Sequence, residues 1–132
     1  MRLERAAARL TASLATAVRE RRGVPAVRVV AIGEGVAVSV RPESPINKVI
    51  GVGFDDHDDD RLAAVEVEWQ ARGEPVRVEL STVADPALAL ALTGRGYRLE
   101  GFENVLGLRL AEWVSPATSA RDIAIEAITD AT

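Results

Sequence analysis

Cysteine is absent from the 132 residues. That excludes disulfides, thiolate metal sites and a cysteine nucleophile, and it fits a cytoplasmic protein. Aromatic residues make up only 4% of the chain, so a core has to be built from Val, Leu, Ile and Ala, which suits a sheet covered by helices. No apolar run approaches the roughly 20 residues that a membrane helix needs, so no membrane partner is expected. The opening stretch Met1-Arg2-Leu3-Glu4-Arg5 is charged where a secretory signal would be apolar. Basic residues are also in deficit, sixteen against twenty acidic ones, for a net charge of −4. A chain of that sign gains nothing from counterion release, so no nucleic-acid partner is expected either.

What remains is the balance of an ordinary globular chain, 48% hydrophobic and 27% charged. A domain of this size buries about two-thirds of its unfolded surface. The frequency of Ala, Arg and Val suggests a GC-rich bacterial genome.

Leu3, Ala7, Leu10, Leu14 and Ala17/Val18 recur at three- and four-residue steps, with arginines largely elsewhere. This spacing predicts an amphipathic helix over 3–22, stopped by Gly23 and Pro25. Val27–Ile32 and Val36–Val40 are β-branched runs separated by Gly33-Glu34-Gly35, which reads as a hairpin. Two prolines make 41–45 a loop, and Lys48–Phe54 reads as a buried strand. The stretch 59–72 satisfies both periodicities. Helix is preferred, because Asp58 suits an N-cap, Asp59 and Asp60 complement the dipole, and Gly73 provides a stop. Val76–Leu80 reads as a strand, Asp85-Pro86 opens a helix that ends at Gly94, and Tyr97–Phe102 and Asn104–Leu110 read as two closing strands. The expected fold is therefore α/β, a mixed sheet with helices on both faces.

The order of parts from Asn47 to Phe102 resembles the GNAT (Gcn5-related N-acetyltransferase) superfamily. The parts are Lys48–Phe54, the turn and helix Asp55–Arg72, Pro75–Leu80, and the helix Pro86–Tyr97 ending in Arg95-Gly96-Tyr97. Ser44-Pro45-Ile46-Asn47-Lys48-Val49-Ile50-Gly51 and Phe102-Glu103-Asn104-Val105-Leu106 add a narrower likeness, to the N-terminal GNAT-like domain of tandem-domain bacterial proteins. The likeness covers about residues 1–110 and implies a GNAT-like central mixed sheet. It makes 111–132 a linker followed by the opening strand of a second domain, Ile123–Ile128. The implied partner is that second GNAT domain; the alternative is a stand-alone homodimer formed through the C-terminal segment, with the tail strand completing a neighbour's sheet.

The family binds the pyrophosphate of acyl-CoA on a turn of pattern Arg/Gln-x-x-Gly-x-Gly/Ala at a helix N-terminus, where free amides and the dipole meet the anion. The corresponding turn here is Asp55-Asp56-His57-Asp58-Asp59-Asp60. A helix dipole favours an anion by about 0.3–1 kcal/mol. One carboxylate about 8 Å from a phosphate charge opposes it by roughly 2 kcal/mol at an effective dielectric near 20, and this turn holds five carboxylates. Repulsion wins. The family's general-acid tyrosine falls at Leu92, which has no proton to give, while Tyr97 reads as a core residue.

The remaining site candidates are few. Gly51-Val52-Gly53 suits a close backbone approach by a pantetheine arm along the strand edge, or simple packing space under a helix. Glu79 and Glu103 are the candidate bases. His57 between Asp56 and Asp58 lacks the ligand number and spacing of a metal site, so none is expected. The resemblance thus implies a non-catalytic half of an N-acetyltransferase that binds no cofactor. The alternative it leaves is an acetyl-CoA-dependent enzyme acting on a small cationic amine.

Overall fold

The computed structural model of the protein describes residues 2–55 and 58–104. Within them the elements run α1 (Arg2–Arg22), β1 (Arg28–Ile32), β2 (Gly35–Ser39), β3 (Lys48–Ile50), α2 (Asp59–Ala71), β4 (Val78–Glu79) and α3 (Pro86–Gly94). One compact unit extends to Arg98, and a second begins at Leu99. Of the second, Leu99–Asn104 is described, as irregular exposed backbone.

The four strands form one sheet in the order β1-β2-β3-β4. The first two pairings are antiparallel, with Ile32 opposite Gly35 and Val36 opposite Ile50. The third is parallel, with Val49 opposite Val78 and Ile50 opposite Glu79. Alternation along β2 and β3 divides the core in two. Ala37 and Val49 face a cluster with Leu62, Val65 and Trp69 of α2 and Leu88 and Leu92 of α3. Val36, Val38 and Ile50 face Ala8 and Ala15 of α1. The fold is accordingly mixed α/β, with α1 on one face of a mixed sheet and α2 and α3 on the other.

The helices stop where side-chain and backbone chemistry stops them. Asp58 caps α2 by accepting from the Arg61 amide at 3.2 Å, and Asp85 caps α3 by accepting from the Ala87 amide at 2.9 Å. At the other ends, Glu74 N donates to Trp69 O and Tyr97 N donates to Leu92 O. Each is the long bond of a Schellman stop, with Gly73 and Gly96 in the bend.

Several expectations need correction. The leucines of α1 do not face the sheet: Leu3, Leu10 and Leu14 are 55%, 61% and 46% exposed, whereas Ala15 is fully buried and Ala8 and Thr11 nearly so. The reason is distance. A Cβ on Gly51 would come within 2.9 Å of the Ala8 Cβ, so α1 lies too close to the sheet to insert leucine there.

The strand expected over Lys48–Phe54 ends at Ile50, because Gly51 and Gly53 take φ of +79° and +88°, which no extended strand accommodates. The strand expected over Val76–Leu80 pairs only at Val78–Glu79. No strand forms over Tyr97–Phe102. The Schellman stop turns the chain at Gly96, and Tyr97 is drawn back onto the α3 core. Residues 105–110 of the second closing strand, and 111–132, lie outside the described residues.

Candidate functional site

Where β3 leaves the sheet, its chain passes between the N-terminus of α2 and the first turn of α3. Gly53 makes that passage possible. A Cβ there would lie 2.9 Å from Ala84 Cβ and 3.1 Å from Leu88 Cδ2, and the Gly53 carbonyl accepts from the Asp85 amide at 2.8 Å. The same seam leaves a small hollow between Val52, Leu62, Val78, Leu88 and Leu92, with Asp55, Asp58 and Asp59 at its rim. Its volume is about 20 Å³, room for roughly one water molecule.

Two of the rim carboxylates, Asp55 and Asp58, are committed to the fold. Asp55 Oδ2 accepts from the Glu34 amide at 2.6 Å, which ties the exit of β3 to the β1–β2 turn. Arg5 of α1 donates through Nε to the Glu34 carboxylate at 3.0 Å. Asp58 holds the first turn of α2 and pairs with Arg61 Nε at 3.3 Å. Asp59 lends its backbone carbonyl to Arg95 Nη2 at 3.4 Å. Asp56 and His57 lie outside the described residues. Among the described residues no group of three or more His, Cys, Asp or Glu side chains is placed to hold a metal ion, and no helix is long and apolar enough to cross a membrane.

The sequence-derived candidates are not brought to one place. Gly51, Val52 and Gly53 are all buried, and both glycines are used for close packing, against α1 and α3 respectively. Glu79 is half-buried and receives Lys48 Nζ at 2.7 Å. It sits next to Val78 of the α2/α3 cluster, so alternation turns it toward the α1 face, away from the hollow. A base there would first have to part from its ammonium partner. Glu103 is exposed in the Leu99–Asn104 stretch. Leu92 is buried and lines the hollow. Tyr97 is half-buried against the core, with its hydroxyl engaged by Glu66.

One polar centre has no counterpart in the sequence reading. Asn47 is buried. Its Oδ1 accepts from Val40 N at 2.8 Å, and its Nδ2 donates to Arg41 O at 2.7 Å. Glu74 Oε2 closes the group, receiving the Ser39 hydroxyl at 3.2 Å. The two prolines in the loop it spans were the available signal, since a loop poor in backbone donors needs a side chain to close it.

These residues define a mixed α/β domain with a four-stranded mixed sheet, three helices among the described residues, and a small acidic-rimmed hollow at the α2 N-terminus. Comparison with family models, with curated proteins and with solved structures found no match to the chain.

Proposed function

We propose that this chain is a GNAT-like domain that keeps the superfamily's frame without carrying out acyl transfer. In this role it serves as the supporting, N-terminal half of a tandem arrangement. The observation that carries the reading is the seam at Gly53. A central strand runs into a turn and helix, a parallel strand follows, and a helix closes with Arg95-Gly96-Tyr97, the order of parts on which the resemblance rests.

The content of the seam speaks for a non-catalytic role. On this reading a pantetheine arm would run beside Gly53, where the only room among the described residues is the small hollow lined by Val52, Leu62, Leu88 and Leu92. A hollow of about 20 Å³ compares with the roughly 300–1,000 Å³ of pockets that hold organic ligands. At its mouth the helix N-terminus is capped by the chain's own Asp58, with Asp55 and Asp59 beside it. A pyrophosphate arriving there would displace a cap and meet like charge. Leu92 supplies no proton for a departing thiolate.

Isothermal titration calorimetry with acetyl-CoA tests the proposal. No heat of binding is expected at tens of micromolar, and micromolar affinity would remove the non-catalytic reading. Thiol release in the presence of a polyamine and aminoglycoside panel tests the other outcome, an acetyl-CoA-dependent transferase for small cationic amines.

A further inference from the structure

α1 carries more charge and more apolar surface than its contact with the sheet uses. Its sheet-facing side is alanine and threonine, which leaves Leu3, Leu10 and Leu14 about half exposed or more. At 100° per residue these three and Arg21 fall within an arc of about 40° along one line of the helix. Arg9, Arg19, Arg21 and Arg22 are exposed as well, and among the described residues none of the four has an ion pair. Six arginines against two glutamates give α1 a charge of +4. The whole chain is −4, so everything outside α1 carries −8.

That asymmetry selects the occupant. A second α1 would set +4 against +4. An anionic lipid surface would attract the helix but repel the remainder of the molecule. An acidic, apolar segment satisfies both the leucines and the arginines, and this sequence contains one, Asp122-Ile123-Ala124-Ile125-Glu126-Ala127-Ile128-Thr129-Asp130. Its three carboxylates recur at every fourth residue, with three isoleucines between them.

We propose that the leucine line of α1 in one copy of the chain receives the segment Asp122–Asp130 of a second copy. Isoleucines meet Leu3, Leu10 and Leu14, and the carboxylates meet Arg9 and Arg21. Exchange in both directions makes the contact two-fold and closed, so it stops at a dimer. The pairing does not depend on whether the domain binds acyl-CoA.

Sedimentation equilibrium of the full chain should give a dimer dissociating in the micromolar range. Leu10→Asp should weaken it at least tenfold with the far-ultraviolet circular dichroism unchanged, since Leu10 is a surface residue. Arg9→Glu with Arg21→Glu should do the same, as should Asp122→Lys with Glu126→Lys and Asp130→Lys. Combining the two charge reversals in one chain should restore dimerisation. A wild-type chain that stays monomeric at tens of micromolar overturns the proposal, including one that binds anionic vesicles instead. So does a dimer that none of these substitutions moves, or a pair of reversals that fails to rescue.

Discussion

The hydroxyl of Tyr97 donates to Oε1 of Glu66 at 2.9 Å, and the same oxygen receives Arg95 Nε at 3.2 Å. A residue in the middle of α2 thereby holds the two residues that flank Gly96, just past the end of α3. Packing alone brings Leu62, Val65 and Trp69 against Leu88 and Leu92; this polar bridge fixes how α3 ends. Replacing Tyr97 with Phe keeps the ring and removes the bond. A loss of about 1 kcal/mol is expected, read from the urea midpoint at constant slope.

Tyr97 is the only tyrosine, so its ionisation can be followed by itself at 295 nm. Burial first, and then the Glu66 carboxylate that accepts its proton, push its pKa well above the ordinary value. The neutral form is the one the fold prefers. Stability from this group is therefore complete below the unfolded value of about 10 and is lost as pH rises beyond it. The folded chain should show no phenolate absorbance at pH 10, and phenolate should appear together with unfolding. Half-ionisation near pH 10 with circular dichroism intact would contradict the contact.

Asn47 closes the loop between β2 and β3 with every side-chain polar atom engaged. Asn47→Ala leaves the buried Val40 amide without its partner, while the Arg41 carbonyl keeps the Ser44 amide. A buried orphan amide costs about 1–3 kcal/mol. Chemical denaturation should show a loss of about 1–3 kcal/mol, and hydrogen exchange at Val40 should accelerate before that of the α2 core.

Gly53 and Gly73 both take left-handed backbone, with φ of +88° and +68°. Only Gly53 is crowded, by Ala84 and Leu88, whereas nothing lies within 4 Å of a Cβ on Gly73. Gly73→Ala should cost about 1–2 kcal/mol, the conformational cost alone. Gly53→Ala should cost about 1–3 kcal/mol more through overpacking. Equal losses would show that the seam is looser than described.

The faces of α1 give a further comparison. Ala15→Leu, at a fully buried position against the sheet, should destabilise by about 1–3 kcal/mol. Leu10→Ala should change the stability of the monomeric fold by no more than about 0.5 kcal/mol. A reading from hydrophobicity alone expects the opposite order.

Local chemistry made much of this fold legible in the residues. Asp58 and Asp85 mark helix starts, because a short acidic side chain satisfies the free amides of a first turn. Gly73 and Gly94 mark the ends, and the β-branched runs around Gly33 make a hairpin whichever way the rest folds. The helix over Asp59–Ala71 was resolved by those caps, although its residues alternate as a strand would.

Tertiary structure decided what depends on distance between segments. It set which face of α1 is inside, because the approach of Ala8 to Gly51 admits alanine and excludes leucine. It ended β3 at Ile50, because Gly53 has to pass beneath Leu88, and it engaged Glu79 with Lys48 on the strand alongside. Hydrophobic pattern records only that a side chain prefers to leave water. How near two backbones come, and therefore how large a side chain fits between them, is settled only when both segments are in place.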